Sequence, residues 1–86
     1  MQDKYKILQI ALSEVITNLR KDDDTKYLKF CDENSISTST YDNIKNASTN
    51  ATLYTVSKFI RGFGLNFEKF GALLDKKLPK EFWEED

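Results

Sequence analysis

Histidine is absent from this 86-residue chain, and cysteine, proline and glycine are scarce, with one, one and three copies. Without histidine the commonest general base is missing, and the single cysteine, Cys31, has no partner for a disulfide, a metal site or a nucleophile pair. We interpret Cys31 as a small core residue. No phosphate-binding glycine loop or calcium loop occurs, so we expect no enzyme, no metal, no cofactor and no small-molecule ligand.

Long apolar stretches are also missing. No run of 18 apolar residues occurs, so we expect no membrane-spanning helix and no membrane partner. Residues 1–6 lead into an amphipathic pattern rather than a signal peptide. Together with the lone cysteine, this pattern predicts a cytoplasmic protein in a reducing compartment.

The few glycine and proline residues all lie in the last third of the chain, which favours helices over a strand-and-turn fold. The length suits one domain. We therefore predict a compact all-α domain of five helices over residues 1–79, followed by an acidic, aromatic tail over residues 80–86. That tail carries Phe82 and Trp83 among acidic residues. It could fold back on the core, form a dimer contact or dock a partner.

Apolar periodicity and capping residues outline the five helices. The first spans about residues 3–21, and its apolar face comprises Leu8, Leu12, Val15, Ile16 and Leu19. The second, residues 26–33, is predicted to be capped by Asp24 or Thr25 and to turn Leu28, Phe30 and Cys31 inward. The third, residues 38–46, has Ser37 as its cap and Tyr41 and Ile44 inside. The fourth runs from the cap Thr52 to Phe63, and the fifth from the cap Asn66 to Pro79, with Phe67, Phe70 and Leu74 inward.

The second and third helices are separated only by residues 34–37, in which Ile36 is the apolar residue. Two helices joined by so short a turn form a helix-turn-helix, here over residues 25–46. In that motif the later helix enters the DNA major groove and needs short hydrogen-bonding side chains on its outer face. The third helix supplies such side chains at Thr38, Ser39, Thr40, Asp42 and Asn43.

From about Leu8 to Phe70 the chain resembles the Cro and lambda-repressor (XRE-type) helix-turn-helix family. The resemblance lies in the order and spacing of several short runs. These are Leu19-Arg20, Phe30-Cys31, Ile36-Ser37-Thr38-Ser39-Thr40, Ile44-Lys45-Asn46, Asn50-Ala51-Thr52-Leu53 and the Val56, Phe59, Phe63-Gly64 pattern. It implies a lambda-repressor-like fold and a sequence-specific regulator of transcription, acting as a repressor, of bacterial or phage origin.

By this resemblance Thr38, Ser39 and Asn43 read bases, and Thr40 adds a hydroxyl and a methyl group that suits thymine. Tyr27 and Asn46 contact DNA phosphates, and Thr52 begins a helix close to the backbone. Lys26 and Lys45 supply positive charge for phosphates. The partner is double-stranded DNA, bound by a homodimer that forms through the fifth helix and the tail.

Some positions depart from the family. Ser35 and Ala47 stand where glycine is usual, so either they or the preceding Asn34 and Asn46 must adopt unusual backbone angles. Arg20 and Lys45 replace the usual arginine–glutamate pair, so that ion pair is absent. Tyr41 replaces an aliphatic core residue.

The net charge of −1 counts against DNA binding taken alone. Four of the 14 acidic residues, however, lie within the last six residues, which leaves 13 basic against 10 acidic residues in the remainder. A basic face is therefore compatible with an acidic chain. The alternative is a protein-interaction module, such as an antitoxin or anti-repressor, that uses the same scaffold.

Overall fold

The computed structural model describes residues 3–49 and 51–84, so Met1, Gln2, Asn50, Glu85 and Asp86 lie outside the described residues. Within these ranges the chain forms five α-helices and no strand, as the all-α prediction requires. The helices are α1 (Lys4–Lys21), α2 (Tyr27–Glu33), α3 (Thr38–Lys45), α4 (Leu53–Gly62) and α5 (Phe67–Lys77). A 3-10 turn at Lys80–Trp83 follows them.

Local hydrogen bonds determine where most helices begin. The predicted caps Ser37, Thr52 and Asn66 are confirmed, since each side chain accepts the backbone N–H three residues later at 2.9–3.1 Å. For α2 the prediction is wrong. Its N-cap is Lys26, which makes no side-chain cap. The polar segment before α2 is instead organised one turn earlier, because the Asp23 carboxylate accepts the N–H of Thr25 at 2.8 Å.

Three helices end with a residue in the left-handed region, namely Ser35, Ala47 and Gly64, with φ of 55°, 55° and 71°. Each ending is closed by a backbone hydrogen bond of 2.9–3.0 Å from an N–H group to the carbonyl five residues earlier. These bonds run from Ile36 to Cys31, from Ser48 to Asn43 and from Leu65 to Ile60. This is the Schellman arrangement, which satisfies carbonyls that a helix end leaves unpaired. Ser35 and Ala47, not the asparagines before them, therefore adopt the unusual backbone angles.

The core lies where α1, α2, α3 and α4 meet, and Phe70 reaches it from α5. Its most deeply buried side chains are Phe30, Phe59, Ile16 and Ile44. Ile36 and Tyr41 are buried as predicted. The inward assignments of Leu28 and Phe67 are wrong, because these side chains are 67% and 54% exposed. Tyr27, one turn before Cys31, occupies the inner side of α2 instead of Leu28, and Phe67 is the first residue of α5, at the margin of the core.

Arg20 connects three parts of the chain from the end of α1. Its guanidinium donates to the carbonyl of Thr25 at 2.7 Å and to the hydroxyl of Tyr41 at 3.2 Å. It also lies 3.3 Å from the Asp23 carboxylate and 4.8 Å from the centre of the Phe30 ring. Arg20 is thus bound by groups from the loop before α2 and from within α3.

We predict that Ser35→Gly raises the free energy of unfolding by about 1 kcal/mol. A left-handed backbone costs a non-glycine residue about 1–2 kcal/mol, which glycine avoids. Glycine loses more conformational entropy on folding, but this loss offsets only part of the stabilisation. The measurement is chemical denaturation of both proteins. The matched control is Ser39→Gly, the same change inside α3, which should lower stability. Equal effects at the two positions would contradict the assignment of strain to Ser35.

We also predict that Arg20→Met lowers the free energy of unfolding by about 1–3 kcal/mol, because the Thr25 carbonyl and Tyr41 hydroxyl lose their donor in a partly buried site. Lys21→Met is the control, since Lys21 is exposed on the same helix and should change stability by less than about 0.5 kcal/mol. Thermal unfolding followed by circular dichroism compares them. Similar midpoints for the two variants would show that Arg20 does not connect these segments.

Candidate nucleic-acid interface

The turn between α2 and α3 packs against α4, whose side chains donate hydrogen bonds to it. Lys58 donates to the carbonyl of Ser35 at 3.0 Å, and Arg61 to that of Asn34 at 3.5 Å. Gly62 lies so close to the turn that a Cβ there would come within 2.8 Å of the Asn34 amide and 2.9 Å of the Phe30 ring. Only glycine allows this approach of α4. The angle between α2 and α3 is therefore fixed by a third helix as well as by the turn.

α3 is anchored on α1 along its inner side. Tyr41 and Ile44 are buried, and the hydroxyl of Ser13 donates to the carbonyl of Lys45. The ammonium of Lys6 donates to the carbonyl of Ala47 at 2.7 Å. These bonds satisfy carbonyls at the carboxyl end of α3, for which no following helical turn supplies N–H donors. α3 consequently presents one defined face to solvent.

The outer face of α3 follows from the helical repeat. Successive residues are about 100° apart, so the side opposite Tyr41 and Ile44 is formed by exposed polar residues: Ser39, Asp42, Asn43 and Asn46. We call these four residues the outer face. Two predicted base-reading residues, Ser39 and Asn43, therefore belong to the outer face.

The other two base-reading candidates lie at the flanks of α3. Thr38 is exposed on the side next to α2, and its carbonyl faces the Tyr27 hydroxyl at 3.3 Å. Thr40 is half-buried, and its hydroxyl is bonded to that of Ser37 at 2.8 Å within the helix cap. Thr38 can still present its hydroxyl outward, whereas the Thr40 hydroxyl has a structural partner.

The predicted phosphate contacts lie around the outer face. Lys26 is exposed at the start of α2, Lys45 and Asn46 are exposed at the end of α3, and Thr52 is exposed at the start of α4. The Thr52 side chain is already bonded to the N–H and hydroxyl of Thr55 at 3.1 and 3.0 Å. Exposed lysines thus lie at the start of α2 and at the end of α3, and the outer face itself carries no lysine or arginine.

Tyr27 is held differently from the other phosphate candidates. Its hydroxyl donates to Oδ1 of Asp42 at 2.8 Å, and its ring packs edge-on against Tyr41 with centroids 4.9 Å apart. This hydrogen bond raises the pKa of Tyr27 to about 12, because removing the proton would leave two negative charges in contact. The proposed phosphate donor is occupied by a carboxylate of the outer face.

Asp42 was named among the hydrogen-bonding side chains of the third helix but not among the base-reading residues, and the sequence offers no signal for its pairing with Tyr27. The two residues are 15 positions apart and meet only because α2 and α3 pack side by side. Asp32 and Glu33, at the end of α2, are two further exposed acids.

Comparison of the chain with protein-family models, with curated proteins and with solved structures gives no match. Among the described residues, no helix has the length and hydropathy needed to cross a membrane. The same part of the chain contains no group of three or more side chains that could hold a metal ion.

The Tyr27–Asp42 contact predicts that the phenol of Tyr27 is an unusually weak acid. In a spectrophotometric titration of phenolate, Tyr27 should ionise near pH 12, and Asp42→Asn should bring it back toward the usual value of about 10. Because the folded-state pKa is raised, this contact stabilises the fold fully below the unfolded-state pKa and loses its effect as pH rises through the folded-state pKa. Tyr27→Phe identifies the transition. An unchanged titration in Asp42→Asn would contradict the contact.

Proposed function

We propose that the chain is a sequence-specific double-stranded DNA-binding regulator of transcription, acting as a repressor of the Cro and lambda-repressor kind. The observation that carries this proposal is the outer face. It is an exposed polar surface on a short helix, α3, that is held rigidly by α1, α2 and α4 and is joined to α2 by a four-residue turn. Such a helix has the size and side chains for the major groove.

In this mechanism the flanks position the domain and the outer face reads the bases. Lys26 and Lys45 contact phosphates on either side of the groove. Asn46 lies beside Lys45, and Thr52 begins α4, whose first backbone N–H groups suit a phosphate oxygen. Asn43, with an exposed amide, pairs with adenine through two hydrogen bonds.

Dimerisation would place two outer faces one helical turn of DNA apart. α5 and the tail are the proposed contact. In the structure the tail lies beside the start of α1, because the ammonium of Lys4 donates to the carbonyl of Glu84. Phe82 and Trp83 pack edge-to-face with centroids 4.9 Å apart, and Trp83 is 69% exposed. The exposed indole gives a second subunit an apolar group to cover.

A protein-binding role is the second candidate, and an apolar groove of about 350 Å³ between α1, α4 and α5 favours it. Tyr5, Leu8 and Leu53 line the groove, and the first and last of these are largely exposed. Exposed apolar surface of this kind marks interaction sites in many proteins. A complex formed there would depend little on salt, in contrast to DNA binding.

The test is titration of the protein into a pool of random duplexes at two salt concentrations, with sequencing of the bound fraction. We expect an enriched, approximately palindromic site and an affinity that falls steeply with salt. Lys45→Glu should weaken binding to all sequences and lower the salt slope by about one or more. Lys21→Glu is the matched control, because Lys21 is exposed at the end of α1, outside the predicted phosphate contacts and outside the proposed dimer contact.

Failure to bind any duplex at low salt would refute DNA binding and favour the protein-binding candidate. Binding that is equally weakened by both lysine substitutions would indicate attraction by overall charge alone. In that case α3 would not be the DNA-contacting element.

A further inference from the structure

We propose that Asp42, oriented by Tyr27, makes the outer face select a cytosine amino group in the major groove. This inference rests on the proposed DNA-binding function. It assigns a specificity role to Asp42, which was not among the predicted base-reading residues, and a positioning role to Tyr27, which was predicted to contact phosphate. It begins from an unusual composition, since the outer face contains a carboxylate and no cation.

The position of Asp42 supports direct contact with bases. It lies one residue before Asn43 and one turn after Thr38, on the exposed side of α3. Among the described residues, only its Oδ1 atom is bonded to a side chain, to the Tyr27 hydroxyl at 2.8 Å. A carboxylate has two oxygens and about four acceptor positions, so acceptor capacity remains after this bond.

The chemistry of a carboxylate then restricts the bases. An ionised aspartate only accepts hydrogen bonds, so it is repelled by the O6 and N7 atoms of guanine and by O4 of thymine. Adenine has an amino group but also an adjacent N7 acceptor. Cytosine itself presents its N4 amino group and no acceptor in the major groove. Cytosine is therefore the base that Asp42 accommodates best.

Tyr27 gives this contact its direction. A free aspartate on a helix surface samples several rotamers, whereas the hydrogen bond from Tyr27 holds one oxygen toward α2. The tyrosine ring is itself fixed against Tyr41, at 90° between the ring planes. The remaining oxygen is thereby held in one place. Tyr27 acts as a positioning residue and does not need to touch DNA.

The experiment is selection from the random duplex pool, carried out in parallel with the wild-type chain, Asp42→Asn, Asp42→Ala and Tyr27→Phe. Circular dichroism confirms that each variant is folded. The wild-type site should contain one cytosine per half-site whose preference is lost, by about tenfold, in Asp42→Ala. Asp42→Asn should change that cytosine to adenine, because an amide pairs with adenine through two hydrogen bonds.

Tyr27→Phe should weaken the same preference while leaving affinity for unrelated duplexes unchanged, since the ring and the charge are both kept. Asp22→Asn is the control for charge, because Asp22 is an exposed acid at the end of α1, outside α3 and outside the proposed dimer contact. It should not alter the preferred bases.

Each outcome separates the two proposals. An enriched site that is identical in the wild type and Asp42→Ala would overturn this inference and leave the proposed function standing. An enriched site with guanine or thymine at the position that Asp42→Ala alters would also overturn it. No enriched site with the wild-type chain would overturn the proposed function and this inference together.

Discussion

The Phe30 ring, which is almost fully buried, fills the space between α2, α3 and α4, and the other parts of the helix pair are arranged around it. It packs against Tyr41 of α3, Phe59 of α4 and the following Phe63, with centroids 5.1–6.1 Å apart. Burying one such side chain contributes about 1.5–3 kcal/mol, and aromatic pairs add about 0.5–1.5 kcal/mol each. In a domain of this size that is a large part of the total stability.

The packing around Phe30 also explains nearby polar features. The guanidinium of Arg20 lies over the ring at 4.8 Å and uses its N–H groups on the Thr25 carbonyl and the Tyr41 hydroxyl. The Asn34 amide donates to the carbonyl of Phe30 at 2.9 Å, which satisfies a buried polar group. Gly62 is required because any side chain there would meet Phe30 and Asn34. The orientation of α3 thus depends on a close-packed centre rather than on the turn alone.

A rigid α3 gives the proposed function its physical basis. Base readout requires side chains that hold their positions relative to the backbone contacts. The outer face carries neutral groups with one carboxylate and no cation. In the proposed function, attraction to DNA and discrimination among bases would therefore fall to different residues. The net charge of −1 is compatible with this division, because phosphate attraction depends on where the cations lie as well as on their number.

What the sequence determined by itself was local. The caps Ser37, Thr52 and Asn66 bond to backbone groups three residues away, and the apolar periodicity of α1 and α4 depends on neighbours within two turns, so helices and most inward faces could be predicted. Interactions between distant segments were decided by the tertiary structure. The packing of the helices determines whether Leu28 is covered, which groups Arg20 binds and whether Tyr27 meets Asp42. No residue pattern encodes a contact between two side chains 15 positions apart. The left-handed angles of Ser35 and Ala47 belong to the same class, because Ile36 and Ala47 are buried by neighbouring helices and hold each chain reversal in place.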